Sequence, residues 1–508
     1  MTTRRARVTT ALGVLLLVSG RAGESAARDA EIDATFSAQS YVVRSPYGSP
    51  TVRSRRFTQT LGLGVYDIHD TGSQDGPQLS LVTRLRLDAD LGQRSVERDI
   101  EEQDSYIPGL ERMPLELMAA YVDAQGYADG WLGARAGRQY LVDALGWWSF
   151  DGALLTVSTP AYVRLEAYGG YEHRAGLNLL STSRFSGDGV SRGNRDGLEA
   201  DEWTSYLESS RLAPAYGLSL ETLDLDFLHA RVGYRKVINR DRVSITHFAD
   251  ADGQIATLDD ERVSSERIGG SATLTAADWG ALAGRAVYDF LSQVASEHGA
   301  TVTWYATRQI SLGLEYDYFL PTFDGDSIFN WFTHRAMTTY QGRGYWQLTR
   351  RVALSASTGL RQFFTDGTPD EYRDQSVAFG VEPQARQTTG VATDVLGSGT
   401  VDYRLPTGTV SLTATGEAGG SGHHLGGDLT TTRTFAGGVY DTLLILSLHD
   451  WRDELRAGRD ATSFAYVLGG GLSPLPGSRL GVEWEHAINR LVGNRFRVLG
   501  TLTLAVLQ

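Results

Sequence analysis

Ile310-Ser311-Leu312-Gly313-Leu314-Glu315-Tyr316-Asp317-Tyr318 alternates without a slip. Isoleucine, leucine and tyrosine hold the even positions; serine, glycine, glutamate and aspartate hold the odd ones. A period of two is what a β-strand needs when its two faces meet different surroundings, because successive side chains point to opposite sides. The pattern recurs in both directions along the chain. Leu85, Leu87 and Ala89 oppose Arg84, Arg86 and Asp88, and Val163, Leu165 and Ala167 oppose Arg164, Glu166 and Tyr168. Ala230, Val232 and Tyr234 oppose Arg231, Gly233 and Arg235, and Val410, Leu412 and Ala414 oppose Ser411, Thr413 and Thr415. Near the end, Val482 and Trp484 oppose Glu483 and Glu485. Helical periodicity is scarce.

Composition narrows the class. The chain has 508 residues, 41% of them apolar, with 58 glycines and 13 prolines, too apolar and too poor in proline for a disordered protein. It has no cysteine, which excludes disulfides, thiolate metal sites, haem attached through Cys-x-x-Cys-His and a lipidated cysteine. Lys236 is the single lysine; the other basic residues are arginine. Arg4, Arg5 and Arg7 precede an apolar run from Ala11 to Val18, and Ser25-Ala26-Ala27 supplies small residues, so 1–27 reads as a signal peptide. That run falls short of the ~20 apolar residues of a spanning helix. Loss of Arg4, Arg5, Arg7, Arg21 and Glu24 would carry the net charge from −14 to −17. An acidic chain without a basic patch is not expected to bind nucleic acid.

A soluble antiparallel sandwich also alternates. Three features favour a membrane barrel. Alternation continues over nearly the whole chain without a domain break, whereas sandwich domains are shorter. Trp131, Trp147, Trp148, Tyr162, Tyr171, Trp304, Tyr305, Tyr316, Tyr318, Tyr345, Trp346 and Trp451 cluster near strand ends, where interfacial girdles stand. In many segments one face is modestly apolar, built of Ala, Gly, Val and Leu, while the other carries charge. The reading is an all-β, transmembrane, antiparallel up-and-down β-barrel of about 16–18 strands over 28–508, in the outer-membrane lipid of a Gram-negative cell. Short turns are expected at Ala128-Asp129-Gly130 and Pro406-Thr407-Gly408. Long connections are expected at Gln93–Met113, Phe185–Glu202, Asp250–Glu261, Phe323–Arg335, Thr365–Asp374 and Gly419–Asp428, most of them outside the cell. Thr501–Gln508, which lacks a final aromatic residue, reads as the closing strand.

A barrel of this size encloses water unless loops plug it. The lumen and selectivity candidates are Arg84, Arg86, Arg138, Arg164, Arg231, Arg235, Arg285, Asp289, Arg343, Arg361 and Arg404. Separated rows of guanidinium and carboxylate set a transverse field, whereas facing pairs only stiffen the wall. Arginine forks also hold carboxylate or sulfate groups bidentately along an anionic polymer.

Gly137-Arg138-Gln139-Tyr140-Leu141, followed by Trp147-Trp148-Ser149-Phe150-Asp151-Gly152-Ala153, resembles a Gly-Arg-Gln and Phe-Asp-Gly pairing of porin-like outer-membrane barrels, the alginate-export family included. The resemblance covers Leu132 to His173. It implies that Arg138 projects into the lumen at a constriction, and it implies polysaccharide export. On the residues alone, an Arg138–Asp151 salt bridge in the wall is the alternative.

Chemistry is otherwise sparse. The ten histidines are scattered, and neither a Gly-x-Ser-x-Gly elbow nor a His-Glu-x-x-His motif occurs. His423 and His424 fall among glycines and read as a solvated loop. Asp250-Ala251-Asp252-Gly253 and Asp324-Gly325-Asp326 lack the full spacing of a calcium loop. No enzyme, metal or cofactor is expected. The expected function is a pore for polar solutes or for an exported, anionic polysaccharide, with a periplasmic export partner in the latter case. The alternative is a barrel that sheaths an electron-transfer partner such as a multihaem cytochrome.

Overall fold

The computed structural model describes residues 30–43, 52–68, 76–90, 115–172, 213–239, 243–249, 255–258, 261–276, 278–322, 336–363, 391–420, 422–453, 460–490 and 493–507. The expected signal peptide, both calcium-like fragments and most of the expected long connections lie outside these residues.

Among them the chain forms 24 strands. They are β1 (Ala30–Val43), β2 (Val52–Val65), β3 (Gln78–Asp90), β4 (Leu115–Tyr127), β5 (Leu132–Asp143), β6 (Gly146–Thr159), β7 (Val163–Glu172) and β8 (Ala213–Thr222). Next come β9 (Leu228–Asn239), β10 (Val243–Ala249), β11 (Ile255–Leu258), β12 (Arg262–Ala276), β13 (Gly280–Asp289), β14 (Val294–Tyr305), β15 (Ile310–Phe319) and β16 (Met337–Gln347). The last are β17 (Val352–Phe363), β18 (Ala392–Leu405), β19 (Gly408–Gly419), β20 (Gly422–Phe435), β21 (Tyr440–Asp453), β22 (Asp460–Leu472), β23 (Ser478–Asn489) and β24 (Gly493–Leu507). The strands β10 and β11 pair only with each other, inside the connection from β9 to β12. The remaining 22 form one sheet in which each pairs antiparallel with its sequence neighbours, and β24 returns to β1 from Glu31↔Leu507 to Tyr41↔Arg497. The sheet therefore closes on itself and leaves no edge.

The fold class is as expected, and β24 is the closing strand. The count of 16–18 is corrected to 22. Several turns carry none of the Gly, Pro or Asn signals that divide a sequence into strands. Ala306-Thr307-Arg308-Gln309 joins β14 to β15, and Leu348-Thr349-Arg350-Arg351 joins β16 to β17. In the second of these a threonine replaces the usual turn chemistry, with Thr349 Oγ1 accepting from the amides of Arg351 and Val352 at 3.1 and 3.0 Å. Thr307 does the same between β14 and β15. The expected loop at Gly419–Asp428 is also corrected. It is strand on both sides, with β19 running to Gly419 and β20 starting at Gly422.

Register assigns the two faces. Leu165, Leu220 and Val232 stand in one row across β7, β8 and β9, each about half exposed. Leu312 and Leu314, Val401 and Leu412, and Leu468, Val482 and Trp484 continue this exposed apolar face around the barrel. The opposite face holds most of the charged side chains and, among the described residues, the buried cluster Leu141, Trp148, Phe150, Leu154, Tyr168, Ala213, Ala215 and Val237. That cluster identifies the lumen. On the same face Arg235 of β9 reaches the Leu145 carbonyl and the Trp148 ring past β7 and β8, and contacts that skip strands of a closed sheet are made on its concave side.

Candidate functional site: the lumen wall

Around the lumen, arginines meet carboxylates of adjacent or near strands. Arg84 Nη2 lies 3.2 Å from Asp33 Oδ1, and Arg135 Nη2 lies 3.0 Å from Asp123 Oδ2. Arg231 Nη2 approaches Glu166 Oε2 to 2.6 Å and also donates to Ser219, while Arg164 Nη1 stands 3.8 Å from Glu221 Oε2. Arg267 Nε reaches Asp289 Oδ2 at 3.0 Å, and Asp289 is almost completely buried. Further round, Arg285 pairs with Asp317 at 2.8 Å, Arg343 with Glu315 at 2.5 Å and Arg361 with Glu417 at 2.7 Å. Arg479–Asp441 at 2.7 Å and Arg497–Glu485 at 2.6 Å bring the belt back toward β1. Arg86 and Arg404 share this face by register, Arg86 opposite Thr60 and Arg404 opposite Thr409.

Chemically, such a wall is wettable and rigid but close to neutral. Each guanidinium next to a carboxylate has its field cancelled within a few ångströms, and what remains at the centre of a wide lumen is screened over about 8–10 Å at ordinary salt. A row of unopposed arginines, which would attract an anionic chain, is not what these pairs present.

One structure narrows the lumen. The last ladder pair between β4 and β5 is Ala120↔Arg138, and among the described residues the last pair between β6 and β7 is Phe150↔Glu172. Beyond these points the β5–β6 hairpin leaves the wall, and its tip lies over the inner face of β9 and β12. The Leu145 carbonyl accepts from Arg235 Nη2 at 3.0 Å, and the Leu145 side chain packs against Gly269, leaving no room there for a Cβ. Phe150 is fully buried and stacks on Trp148 with centroids 4.5 Å apart; Tyr168 packs on both rings. Trp148 Nε1 donates to Glu172 at 3.2 Å, and the Arg235 guanidinium covers the Trp148 ring at 5.2 Å.

Arg138 is the correction here. It does not project into the lumen. Register puts it, with Asp151, on the face of Ala134, Ala136, Tyr140 and Val142. Its Nε and Nη2 reach the two Asp151 oxygens, both at 2.7 Å, and its Nη1 donates to the Leu117 carbonyl at 2.9 Å. That carbonyl belongs to β4 where β5 departs, so Arg138 supplies a hydrogen bond that the ladder no longer makes. Gly137, just before it, has φ +128°, a conformation L side chains rarely adopt. The Gly-Arg-Gln and Phe-Asp-Gly stretches are thus the point at which the hairpin peels from the wall. The alternation already held this answer: Leu132, Ala134, Ala136, Tyr140 and Val142 share the parity of Arg138, while Arg135 shares that of the polar set. Arg135, Arg267, Arg479, Asp33 and Asp441 are wall residues that sequence reading passed over, although each falls on the charged parity of its strand.

His423 and His424, expected in a loop, sit on β20 and point to opposite faces. His424 faces the lumen.

No protein family model and no curated protein matches the sequence. Among solved structures, Acinetobacter baumannii OccAB1 aligns at 9% identity and TM-score 0.42, covering 96% of this chain and 99% of that one. The outer membrane protein opdK of Pseudomonas aeruginosa aligns at 11% identity and TM-score 0.42, covering 96% and 100%. Its structure with vanillate aligns at 12% identity and TM-score 0.41, covering 94% and 99%. Likeness this slight carries no functional information.

Proposed function

We propose that the protein is an outer-membrane barrel through which small polar solutes diffuse. One observation carries the reading: a closed sheet with large apolar side chains exposed all round its outside and paired charges lining its inside. Soluble monomers rarely expose contiguous apolar patches beyond a few hundred Å². Lipid is the solvent that such an exterior fits. Aromatic residues support the same placement. Trp131, Tyr162, Phe227, Trp279, Trp304 and Trp346 are exposed at the end where β4–β5, β6–β7, β8–β9, β12–β13, β14–β15 and β16–β17 connect by short turns. Tyr171 and Tyr216 stand exposed toward the other end. Tyr162, just before β7, and Tyr171 on β7 are nine residues apart, about 30 Å along a strand and ~23 Å along the axis at a ~40° tilt, close to the ~25 Å apolar band of such barrels.

The paired lumen favours small solutes over an anionic polysaccharide, because most of the arginines that would hold sulfate or carboxylate groups already hold carboxylates. Liposome swelling tests this. Reconstituted protein is expected to pass neutral sugars and small organic anions at comparable rates, falling with solute size. Uptake restricted to anionic oligosaccharides, with neutral sugars excluded, would overturn it and restore the export reading.

A further inference from the structure

His449 on β21 and His424 on β20 meet on the lumen wall, with His424 Nε2 and His449 Nδ1 3.0 Å apart and their ring planes within 13° of parallel. The other nitrogen of His449, Nε2, lies 3.1 Å from Asp428 Oδ1. A carboxylate at Nε2 fixes the Nε2–H tautomer, so the Nδ1 lone pair is left directed at His424. Room for this is made by Gly426, the residue opposite His449 in the ladder. A Cβ there would stand 1.9 Å from His449 Nδ1 and 2.4 Å from its Cε1, so only glycine lets the ring lie across β20 toward His424. The His449 side chain keeps 26% of its surface open to water. Two imidazoles converging from neighbouring strands, one of them oriented by a carboxylate, reproduce the arrangement in which histidine binds transition metals.

We propose that His424 and His449 form a lumenal two-imidazole site for a divalent transition-metal ion such as Cu²⁺ or Zn²⁺, with Asp428 as the orienting group and Gly426 as the space it requires. The ion replaces the proton shared between the rings: His424 shifts its ring proton to Nδ1, and both facing nitrogens donate to the metal. A tetrahedral ion at ~2.0–2.1 Å from each nitrogen separates them by about 3.3 Å, a few tenths of an ångström more than the present gap. No group of three or more metal-binding side chains converges among the described residues, so water completes the coordination and the site is exchangeable. The only carboxylate opposite His424 in the ladder, Glu417, is held by Arg361 at 2.7 Å.

The test is Cu²⁺ titration of the purified full chain in detergent, followed by electron paramagnetic resonance. The expected spectrum shows coupling to two nitrogens. His424→Gln and His449→Gln should each weaken binding at least tenfold, and Asp428→Asn about tenfold. Gly426→Ala keeps both imidazoles and should weaken binding as much as losing one, whereas His423→Gln, on the opposite face, should change nothing. Independently of any variant, Zn²⁺ should protect His424 and His449, but not His423, from acylation by diethyl pyrocarbonate. Wild-type affinity in both Gly426→Ala and His449→Gln, or equal reactivity of the three histidines with and without Zn²⁺, would overturn the proposal. Binding in detergent does not depend on transport, so failure here leaves the pore reading standing, and a barrel that conducts nothing could still bind the ion.

Discussion

Replacing Phe150 with alanine should release the inward-leaning hairpin and widen the channel. The side chain is completely buried, stacked on Trp148 and packed against Tyr168. Deleting a buried phenylalanine removes about 3–5 kcal/mol of packing. Other attachments of the tip include the Arg235 to Leu145 hydrogen bond, about 1.5–3 kcal/mol for a charged donor, the Trp148 to Glu172 bond, of similar kind, the packing of Leu145 on Gly269 and Arg235 over the Trp148 ring. Phe150 is thus the largest single one of several attachments that hold the tip. A loss of about 3 kcal/mol raises the released fraction by roughly 150-fold. Released, the tip no longer fills the space it now takes over the inner face of β9 and β12. Single-channel recording should show larger and noisier openings than wild type. Leu155→Ala, on the outward face of the same strand, should leave conductance unchanged. Unchanged openings from a Phe150→Ala protein that still migrates as a folded, heat-modifiable barrel would refute the idea that the hairpin narrows the lumen.

Other consequences follow from the same contacts. Arg231→Ala strips Glu166 of the partner now 2.6 Å away and should move the reversal potential in a salt gradient toward cation preference, while Glu166→Gln should move it the other way. Arg138→Ala and Asp151→Ala should each lower the unfolding midpoint, and the double variant should lose less than their sum, with a coupling of about 1–3 kcal/mol by a thermal-unfolding cycle; strict additivity would deny the pair its role at the split between β4 and β5. Thr349→Ala should cost about 1 kcal/mol in denaturant titration, because two turn amides lose their acceptor.

The faces of the strands were legible because period two survives translation into any closed sheet. Arg231 and Arg235, Glu315 and Asp317, Glu483 and Glu485 all fall on the charged side that the alternation assigns. Pairing partners were not legible, since register is a relation between segments and no single strand encodes it. The strand count failed where turns lack glycine and proline, as at Leu348-Thr349-Arg350-Arg351. The reverse error came at Gly419–Asp428, where Gly426 and Gly427 read as loop but serve within a strand, Gly426 by making room for His449. Trp147 and Trp148 looked alike in sequence as girdle residues. Trp147 is half exposed, while Trp148 is buried beneath the hairpin that carries it. Nothing local distinguishes the two, because the surface that buries Trp148 comes from β7 and β9.

The central claim is a water-filled barrel whose wall charges are mutually cancelled, and its most direct test is single-channel conductance of the purified full-length protein in planar bilayers under a salt gradient. The account predicts ohmic openings with a reversal potential near zero, carried by both ions. Strong anion selectivity, or a folded barrel that never conducts, would contradict it.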